Sequence, residues 1–225
     1  LPPGSGLLDL ELGRESELTH YDWITDTTVH DGSAWAYMKN SKYKTTTDLV
    51  HYLIDNVSKN GYMLLNIGPK PDGTIPEEDK NLLEGIGNWL DVNGEAIFET
   101  ETWDQYGEGP TKMNEAGPFS DNRAKLIYTA KDFRFTTKDN FLYATALGWP
   151  SKDFTIESIY KLFDNEIERV ELLGSTDKVE WKHTRDGLHI TRPDNKPCEH
   201  AYSFKITRKE YCLLYTSDAA DDDVR

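Results

Sequence analysis

The first hundred residues show a helical pattern followed directly by a strand-like one. Residues 44–60 carry apolar side chains at i, i+4 and i+8 spacings, which form one stripe of an amphipathic helix. These side chains are Leu49, Val50, Leu53, Ile54 and Val57. Gly61 stands where a helix cap is expected. The nearly all-apolar run 62–67 follows at once, which is typical of a buried strand in a parallel sheet.

A second helix is predicted after a turn rich in Gly and Pro at residues 68–73. Thr74 and Glu77 have the spacing of a capping box, and Gly94 can end the helix. The β-prone run 21–29 precedes both helices. The order strand–helix–strand–helix is the alternation of a parallel α/β protein.

The pattern changes to short β-rich runs from about residue 112. Turn signals such as Asp186-Gly187 separate these runs. The runs cover 124–128, 132–136, 141–147, 168–173, 179–183, 187–190 and 202–206. Short strands with regular turn chemistry predict an antiparallel β-sandwich.

These patterns divide the chain into four parts. Residues 1–103 are predicted to be the α/β part, 104–111 a linker and 112–211 the sandwich. Residues 212–225 read CLLYTSDAADDDVR and lack periodicity or turn chemistry. We interpret them as a translated DNA-sequencing adaptor, with a natural acidic tail as the alternative.

Composition excludes several classes of protein. The chain has 225 residues and a formal charge of −15, so nucleic acid is a poor partner. No apolar run approaches the length of about 20 residues that a membrane span needs. Without the tail Cys198 is the only cysteine, which argues against a disulfide framework. The chain opens on a loop-like Leu-Pro-Pro-Gly with no Met before Met38, so we expect an N-terminally truncated fragment that carries no targeting signal.

Candidate site residues lie in the loops after the predicted strands, because sites of parallel α/β folds form there. Glu11 sits among apolar neighbours, where a buried carboxyl has a raised pKa and serves as a general acid. The alternative is an ordinary surface Glu. Asp26 and Asp31 are further carboxylates near the second loop, with helix or turn caps as the alternative role.

Trp35 and Tyr37 provide aromatic rings near these carboxylates. Such rings are what the face of a sugar packs against, and ordinary packing under a loop is the alternative. The six histidines are scattered and no cysteine cluster accompanies them, so no metal and no cofactor is predicted. No G-x-S-x-G elbow is present either.

Several motifs in a fixed order resemble family 29 glycoside hydrolases, the α-L-fucosidases. They are WITDT (23–27) with SAWAY (33–37), LIDNVSKNG (53–61), LLNIGP (64–69) with DGTIP (72–76), GNWL (87–90) and NGEAIF (93–98). The resemblance covers about residues 7–100, and the sandwich agrees in placement. It implies the last two β/α units of a (β/α)8-like catalytic barrel followed by a C-terminal β-sandwich.

The resemblance also implies a retaining reaction with an Asp nucleophile and a Glu acid/base. The family nucleophile follows a Trp-Asn pair, and this sequence contains no Trp-Asn-Asp, so we expect it outside the chain. Glu11 lies twelve residues before Trp23, the family spacing for the acid/base. Some relatives place a Glu directly after that Trp, where Ile24 stands here. Trp35 matches the aromatic residue that lines the fucose pocket.

Two functions are compatible with this resemblance. The first is exo-hydrolysis of terminal α-L-fucose from glycoconjugates, although the fragment alone is expected to be inactive. The second is a non-catalytic, lectin-like relative that binds fucose. The family implies a fucosylated glycan as the partner and a lysosomal, periplasmic or secreted location. The oligomeric state is left open, a homo-oligomer included.

Overall fold

A three-stranded parallel sheet opens the chain in the computed structural model, which describes residues 6–32, 34–122 and 125–209. Its strands are β1 (Leu8–Asp9), β2 (Trp23–Thr28) and β3 (Gly61–Asn66), in that spatial order. β2 and β3 confirm the two predicted strands. β1 was not predicted, because two exposed residues are too short to show a period.

Two helices cover one face of this sheet. Helix α1 (Thr46–Ser58) begins at a capping box in which Thr45 and Asp48 satisfy each other's backbone N–H groups. The chain leaves α1 through Asn60, which adopts a φ of 71°, and β3 begins at the next residue. The prediction of Gly61 as the cap was therefore wrong by one position, since Asn also tolerates the left-handed region.

Helix α2 (Glu77–Asn93) has no side-chain cap at its start. The predicted capping box of Thr74 and Glu77 is wrong because the Thr74 hydroxyl donates to Asp72 at 2.7 Å instead. Pro76 occupies the N-cap position. Three acidic residues in the first turn favour the positive end of the helix dipole. A short 3-10 turn, Gly94–Ala96, ends this part of the chain.

Eight strands form two antiparallel sheets in the rest of the described chain. The larger sheet has the order β4-β5-β6-β11-β8, and the smaller one the order β7-β10-β9. Their bounds are β4 Glu101–Glu108, β5 Phe133–Lys138, β6 Phe141–Ala146, β7 Phe154–Ile156, β8 Ile167–Leu172, β9 Trp181–Thr184, β10 Gly187–Ile190 and β11 Tyr202–Arg208. Buried side chains of both sheets meet in one core, including Phe135, Phe204, Ile156 and Leu188.

Two stretches differ from the sequence expectation. Residues 104–108, within the predicted linker 104–111, belong to β4, which pairs with β5. β4 is mostly polar and its register shifts between Thr102 and Gly107, so it shows no regular alternation. Residues 125–128 form no strand, although the run 124–128 was predicted as one.

The α/β part and the sandwich share a second core. It joins Leu49 of α1 and Trp89 of α2 to Leu147 and Ala201 from the sandwich side. The Trp89 indole donates to the Ala201 carbonyl at 2.9 Å. Asn93 at the end of α2 accepts the backbone N–H of Ser203 in β11 at 3.2 Å. The two parts are therefore bonded to each other through buried polar groups as well as apolar ones.

None of the helices in the described ranges combines the length and apolar character that crossing a lipid bilayer demands.

Candidate functional site

Glu11 lies at the carboxyl edge of the parallel sheet, two residues beyond β1. The backbone N–H of Leu10 donates to Ile24 O at 2.8 Å, and that of Leu12 donates to Asp26 O at 3.0 Å. These bonds continue the parallel pairing past the end of β1, so Glu11 runs alongside Asp26. The edge where parallel strands end is where such folds build their sites.

Three carboxylates lie close together at this edge of the sheet. Asp9 pairs with Ile24 in the ladder, and Glu11 lies in the turn that follows β1, close enough for its charge to act on Asp26. Burial, and then the negative charges on Asp9 and Glu11, raise the pKa of Asp26. Asp26 Oδ1 is buried and has no hydrogen-bond partner among the described residues. Glu11 itself is half-buried. Burial and the two neighbouring carboxylates therefore favour the protonated state of Asp26.

The sequence analysis gave the capping of a helix or a turn as the alternative role of Asp26 and Asp31. Asp26 lies inside β2 and faces the other carboxylates, so it caps neither a helix nor a turn. Asp31 is exposed in the following loop, and its backbone N–H donates to Lys42 O. Of these two, the structure brings only Asp26 beside Glu11.

Trp35 lies at the same edge, in the loop that leaves β2. The Asn66 amide at the end of β3 donates to Trp35 O at 2.9 Å. The Thr28 hydroxyl at the end of β2 donates to Ala34 O at 3.0 Å. Trp35 as a whole is half-buried. Both predicted site residues, Glu11 and Trp35, are thus attached to the carboxyl ends of the parallel strands.

Gly68 fixes the path of the loop that carries these aromatic residues. A Cβ atom placed on Gly68 would lie 2.8 Å from the backbone nitrogen of Tyr37. No other residue type fits there without moving the loop. The sequence indicated a structural turn at this position, and the close backbone approach explains why it contains glycine.

Residues 119–121, which lie more than 100 positions later in the sequence, also contact the backbone around Glu11. The Phe119 N–H donates to Glu11 O at 2.7 Å, and the Asp121 N–H donates to Leu12 O at 3.0 Å. The sequence analysis missed this segment. Its residues follow no strand or helix period, and a contact over more than 100 positions leaves no local signal.

The loop of residues 10–22, which joins β1 to β2, is called here the Glu11 loop. A buried ionic cluster includes Arg14 of this loop and is called here the Asp55 cluster (Arg14, Asp55, Lys59 and Arg134). Asp55 on α1 is fully buried and accepts from Lys59 Nζ at 2.8 Å and Arg134 Nε at 2.6 Å. Arg14 Nη1 is 3.4 Å from Asp55 Oδ2, the same oxygen that Lys59 contacts. Burial alone would raise the pKa of Asp55, but the three surrounding cations outweigh burial and hold it far below the usual range. The cluster joins the Glu11 loop, α1 and the sandwich.

No metal centre is evident at the candidate site. Across residues 6–32, 34–122 and 125–209, no group of three or more His, Cys, Asp or Glu side chains is arranged to hold a metal ion. Cys198 is a free thiol. Cys212 and the rest of segment 212–225 lie outside the described residues.

Two family profiles match this chain in sequence order. The profile described as α-L-fucosidase matches residues 7–95. The profile described as α-L-fucosidase C-terminal domain matches residues 125–207. Together they cover both the α/β part and the sandwich, and they meet the chain in the order that the resemblance implied.

Proteins and solved structures that are similar to this chain are themselves named α-fucosidases. The plasma α-L-fucosidase of Pongo abelii is 31% identical over 198 residues, which cover 84% of this chain and 38% of that protein. The tissue α-L-fucosidase of Rattus norvegicus is 29% identical, with 87% and 39% covered. The Thermotoga maritima α-fucosidase solved with fucose superposes with a TM-score of 0.66 at 27% identity, covering 86% of this chain and 41% of that one. The chain spans about two fifths of the length of these curated relatives.

Proposed function

Because this chain belongs to the α-L-fucosidase family, we propose that it forms part of an enzyme that releases terminal α-L-fucose from glycans. The observation that carries the proposal is the place of Glu11. It stands at the carboxyl edge of a parallel sheet, beside Asp26 and on the same edge as Trp35. That arrangement combines a proton donor with an aromatic ring, which a glycosidase needs to hold a sugar and cleave its bond.

We assign the parallel sheet and its helices to the end of a (β/α)8-like barrel. The strands β2 and β3 alternate with α1 and α2, as barrel units do. On the face away from the helices, Tyr62 and Leu64 are 53% and 58% exposed. Apolar side chains on that face fit a barrel interior that further strands would cover. In this assignment residues 1–103 are barrel and 112–211 are sandwich, and the stretch 104–111 joins them through β4.

Glu11 acts as the acid/base in this proposal. In the first step an Asp carboxylate outside this chain attacks the anomeric carbon, and Glu11 gives its proton to the leaving oxygen as that bond breaks. In the second step Glu11 takes a proton from water, whose oxygen replaces the Asp at the anomeric carbon. A retaining reaction requires the two carboxyls to lie about 5–5.5 Å apart.

Asp26 lies beside Glu11, and burial together with the negative charges on Asp9 and Glu11 raises the pKa of Asp26. Trp35 would line the sugar pocket, where its ring packs on the apolar face of fucose.

The test replaces Glu11 with Gln in the full-length protein that contains this chain. We expect hydrolysis of a fucosylated disaccharide to fall by about 10²–10⁴-fold, the usual contribution of a general acid/base. Added azide, which needs no proton removal, should restore turnover of an activated aryl fucoside and yield fucosyl azide. Glu17→Gln at an exposed position of the same loop is the control and should keep full activity.

Each alternative gives a distinct result. Wild-type activity of Glu11→Gln would assign the acid/base role to another residue. Binding of fucose by the wild-type protein without any turnover would favour the lectin-like relative. Thermal unfolding of Glu11→Gln should match that of Glu17→Gln, so that a difference in their activity does not come from a difference in stability.

The remaining assignments concern partners and location. We propose a fucosylated glycan as substrate and a lysosomal, periplasmic or secreted location, since the matched relatives include plasma and tissue α-L-fucosidases. We also propose that residues 212–225 are not native sequence. Resequencing the parent DNA across this end would replace CLLYTSDAADDDVR with another reading frame, whereas an unchanged sequence would refute the adaptor interpretation.

A further inference from the structure

The backbone around Glu11 is held from two sides. On one side it continues the pairing with β2, through Leu12 N–H to Asp26 O. On the other side lies the segment of residues 117–121, called here the bracing segment, which lies between β4 and β5 in the chain. Its Phe119 N–H donates to the Glu11 carbonyl itself, at 2.7 Å. The position of Glu11 is therefore set jointly by the parallel sheet and by a segment more than 100 residues away.

Arg14 anchors the other end of the same loop to the bracing segment. Its N–H donates to the Ser120 hydroxyl at 3.1 Å, and its carbonyl accepts from Gly117 N–H at 2.9 Å. Its guanidinium Nε lies 3.1 Å from Asp121 Oδ1. Ser120 is only 4% exposed, so water does not readily replace its bond to Arg14. The bracing segment thus contacts the loop at both sides of the carboxylate.

Backbone strain occurs on both partners of this contact. Leu12 has a φ of 48° and Phe119 a φ of 59°, in the left-handed region that bulky side chains avoid. Such conformations persist only where surrounding bonds over-determine them, and they gather at functional sites. Here the determining bonds are those between the loop and the bracing segment.

We propose that the bracing segment positions Glu11 for proton transfer, with Ser120 and Asp121 as positioning residues. The inference rests on the proposed role of Glu11 as acid/base. The carboxylate must point at the leaving oxygen, and a displacement of about 1 Å in a catalytic group can cost about 10²-fold in rate. In this arrangement the sandwich side of the molecule is part of the catalytic apparatus rather than an appendage.

The rates for two substrates with different leaving groups distinguish a positioning role from a purely structural one. A sugar leaving group is a strongly basic oxygen and needs protonation as its bond breaks. A dinitrophenolate leaves without protonation. Misplacement of Glu11 therefore slows cleavage of the first substrate and spares the second, whereas loss of folded protein slows both equally.

The experiment compares Ser120→Ala with Ser203→Ala in the full-length protein. Both serines are buried, and each makes a long-range hydrogen bond, Ser203 with the Thr145 hydroxyl at 2.9 Å within the sandwich. We expect Ser120→Ala to lower kcat/KM for a fucosylated disaccharide by about tenfold and to change that for dinitrophenyl fucoside by less than about twofold. Ser203→Ala should leave the ratio of the two constants unchanged.

Asp121 supplies an independent check through a conservative variant. Asp121→Ala removes the acceptor of Arg14 Nε and should show the same selective loss. Asp121→Asn keeps an oxygen acceptor and should recover most of the disaccharide activity. Equal losses on both substrates, or no loss with Ser120→Ala and Asp121→Ala, would overturn the inference.

Glu11→Gln in the same assay separates this inference from the proposed function. If Glu11→Gln shows the selective loss and the Ser120 and Asp121 variants do not, the bracing role is wrong and the acid/base assignment stands. If Glu11→Gln itself shows no selectivity, the acid/base assignment fails and the bracing role fails with it.

Discussion

Replacing Asp55 with Asn tests whether the Asp55 cluster holds the two parts of the chain together. The carboxylate is fully buried and serves three cations at once, with contacts of 2.6, 2.8 and 3.4 Å. Asparagine keeps the shape and loses the charge. The variant therefore leaves Lys59 and Arg134 buried without their counter-charge, whereas Arg14 keeps Asp121.

The magnitude follows from the burial of these groups. Removing one partner of a buried ion pair costs about 3–5 kcal/mol of unfolding free energy. Lys59 and Arg134 are 1% and 4% exposed, so solvent offers them little compensation and we expect the upper part of that range. In a chain of this length each kcal/mol lowers Tm by about 2–4 °C, so a loss of about 4–5 kcal/mol should lower the melting temperature by about 8–20 °C.

Thermal and urea unfolding of the 225-residue chain measure this effect. Glu99→Gln, which breaks the ion pair with Lys138 at a position where Glu99 is 83% exposed, is the matched control and should leave the unfolding free energy almost unchanged. A loss below about 1 kcal/mol for Asp55→Asn would refute the reasoning, since it would mean that the buried cations do not depend on this carboxylate.

The same variant has a defined pH dependence. The cations lower the pKa of Asp55 in the folded chain, so its contribution is complete above the unfolded value of about 3.9. As pH falls below that value the unfolded chain gains a proton that the folded chain excludes, and stability is lost. The stability difference between wild type and Asp55→Asn should therefore narrow below about pH 4, and a difference that stays constant to pH 2 would contradict the assignment.

Three further outcomes are expected. Trp35→Ala should raise KM for fucosides by about tenfold while the fold is kept, because the ring that we propose to face the sugar is lost; unchanged kinetics would place the sugar elsewhere. Gly61→Ala should cost about 1–3 kcal/mol in urea unfolding, because its Cβ would lie 2.4 Å from the buried Trp23 ring, and a neutral result would show that the ring can move. Asn56, in the sequon 56–58, is fully buried and should carry no glycan by mass spectrometry after secretion from a eukaryotic host; a glycan there would show that α1 is not packed as described.

The sequence predicted most of the fold because its elements have strong local periods. The stripe on α1 and the apolar run of β3 appear in the structure within one or two residues of their predicted bounds. Elements without a period were missed. β1 has two residues, β7 has three, and β4 is polar and irregular. Each is defined by pairing with a distant strand rather than by its own side chains.

The candidate site, like the fold, was predicted only in part from the sequence. Glu11 and Trp35 were predicted from motif spacing, and their roles remain proposals. Asp26 was noted as a carboxylate, but its place beside Glu11 depends on the register between β1 and β2. The contacts from Phe119 and Asp121 depend on the path of the chain over more than 100 residues. Such long-range geometry leaves no mark on the composition or period of either segment.

The bonds between α2 and the last described strand have a consequence for synthesis on the ribosome. Translation proceeds from the amino end, so α2 emerges long before β11. Until Ala201 and Ser203 emerge, the Trp89 indole N–H and the Asn93 side-chain oxygen lack the backbone partners that they have in the complete fold. Their burial must therefore wait, because an unpaired polar group in the core is costly. Co-translational folding of the α/β part is thus expected to stay incomplete until β11 is available, and during that interval its apolar faces are open to chaperones or to aggregation.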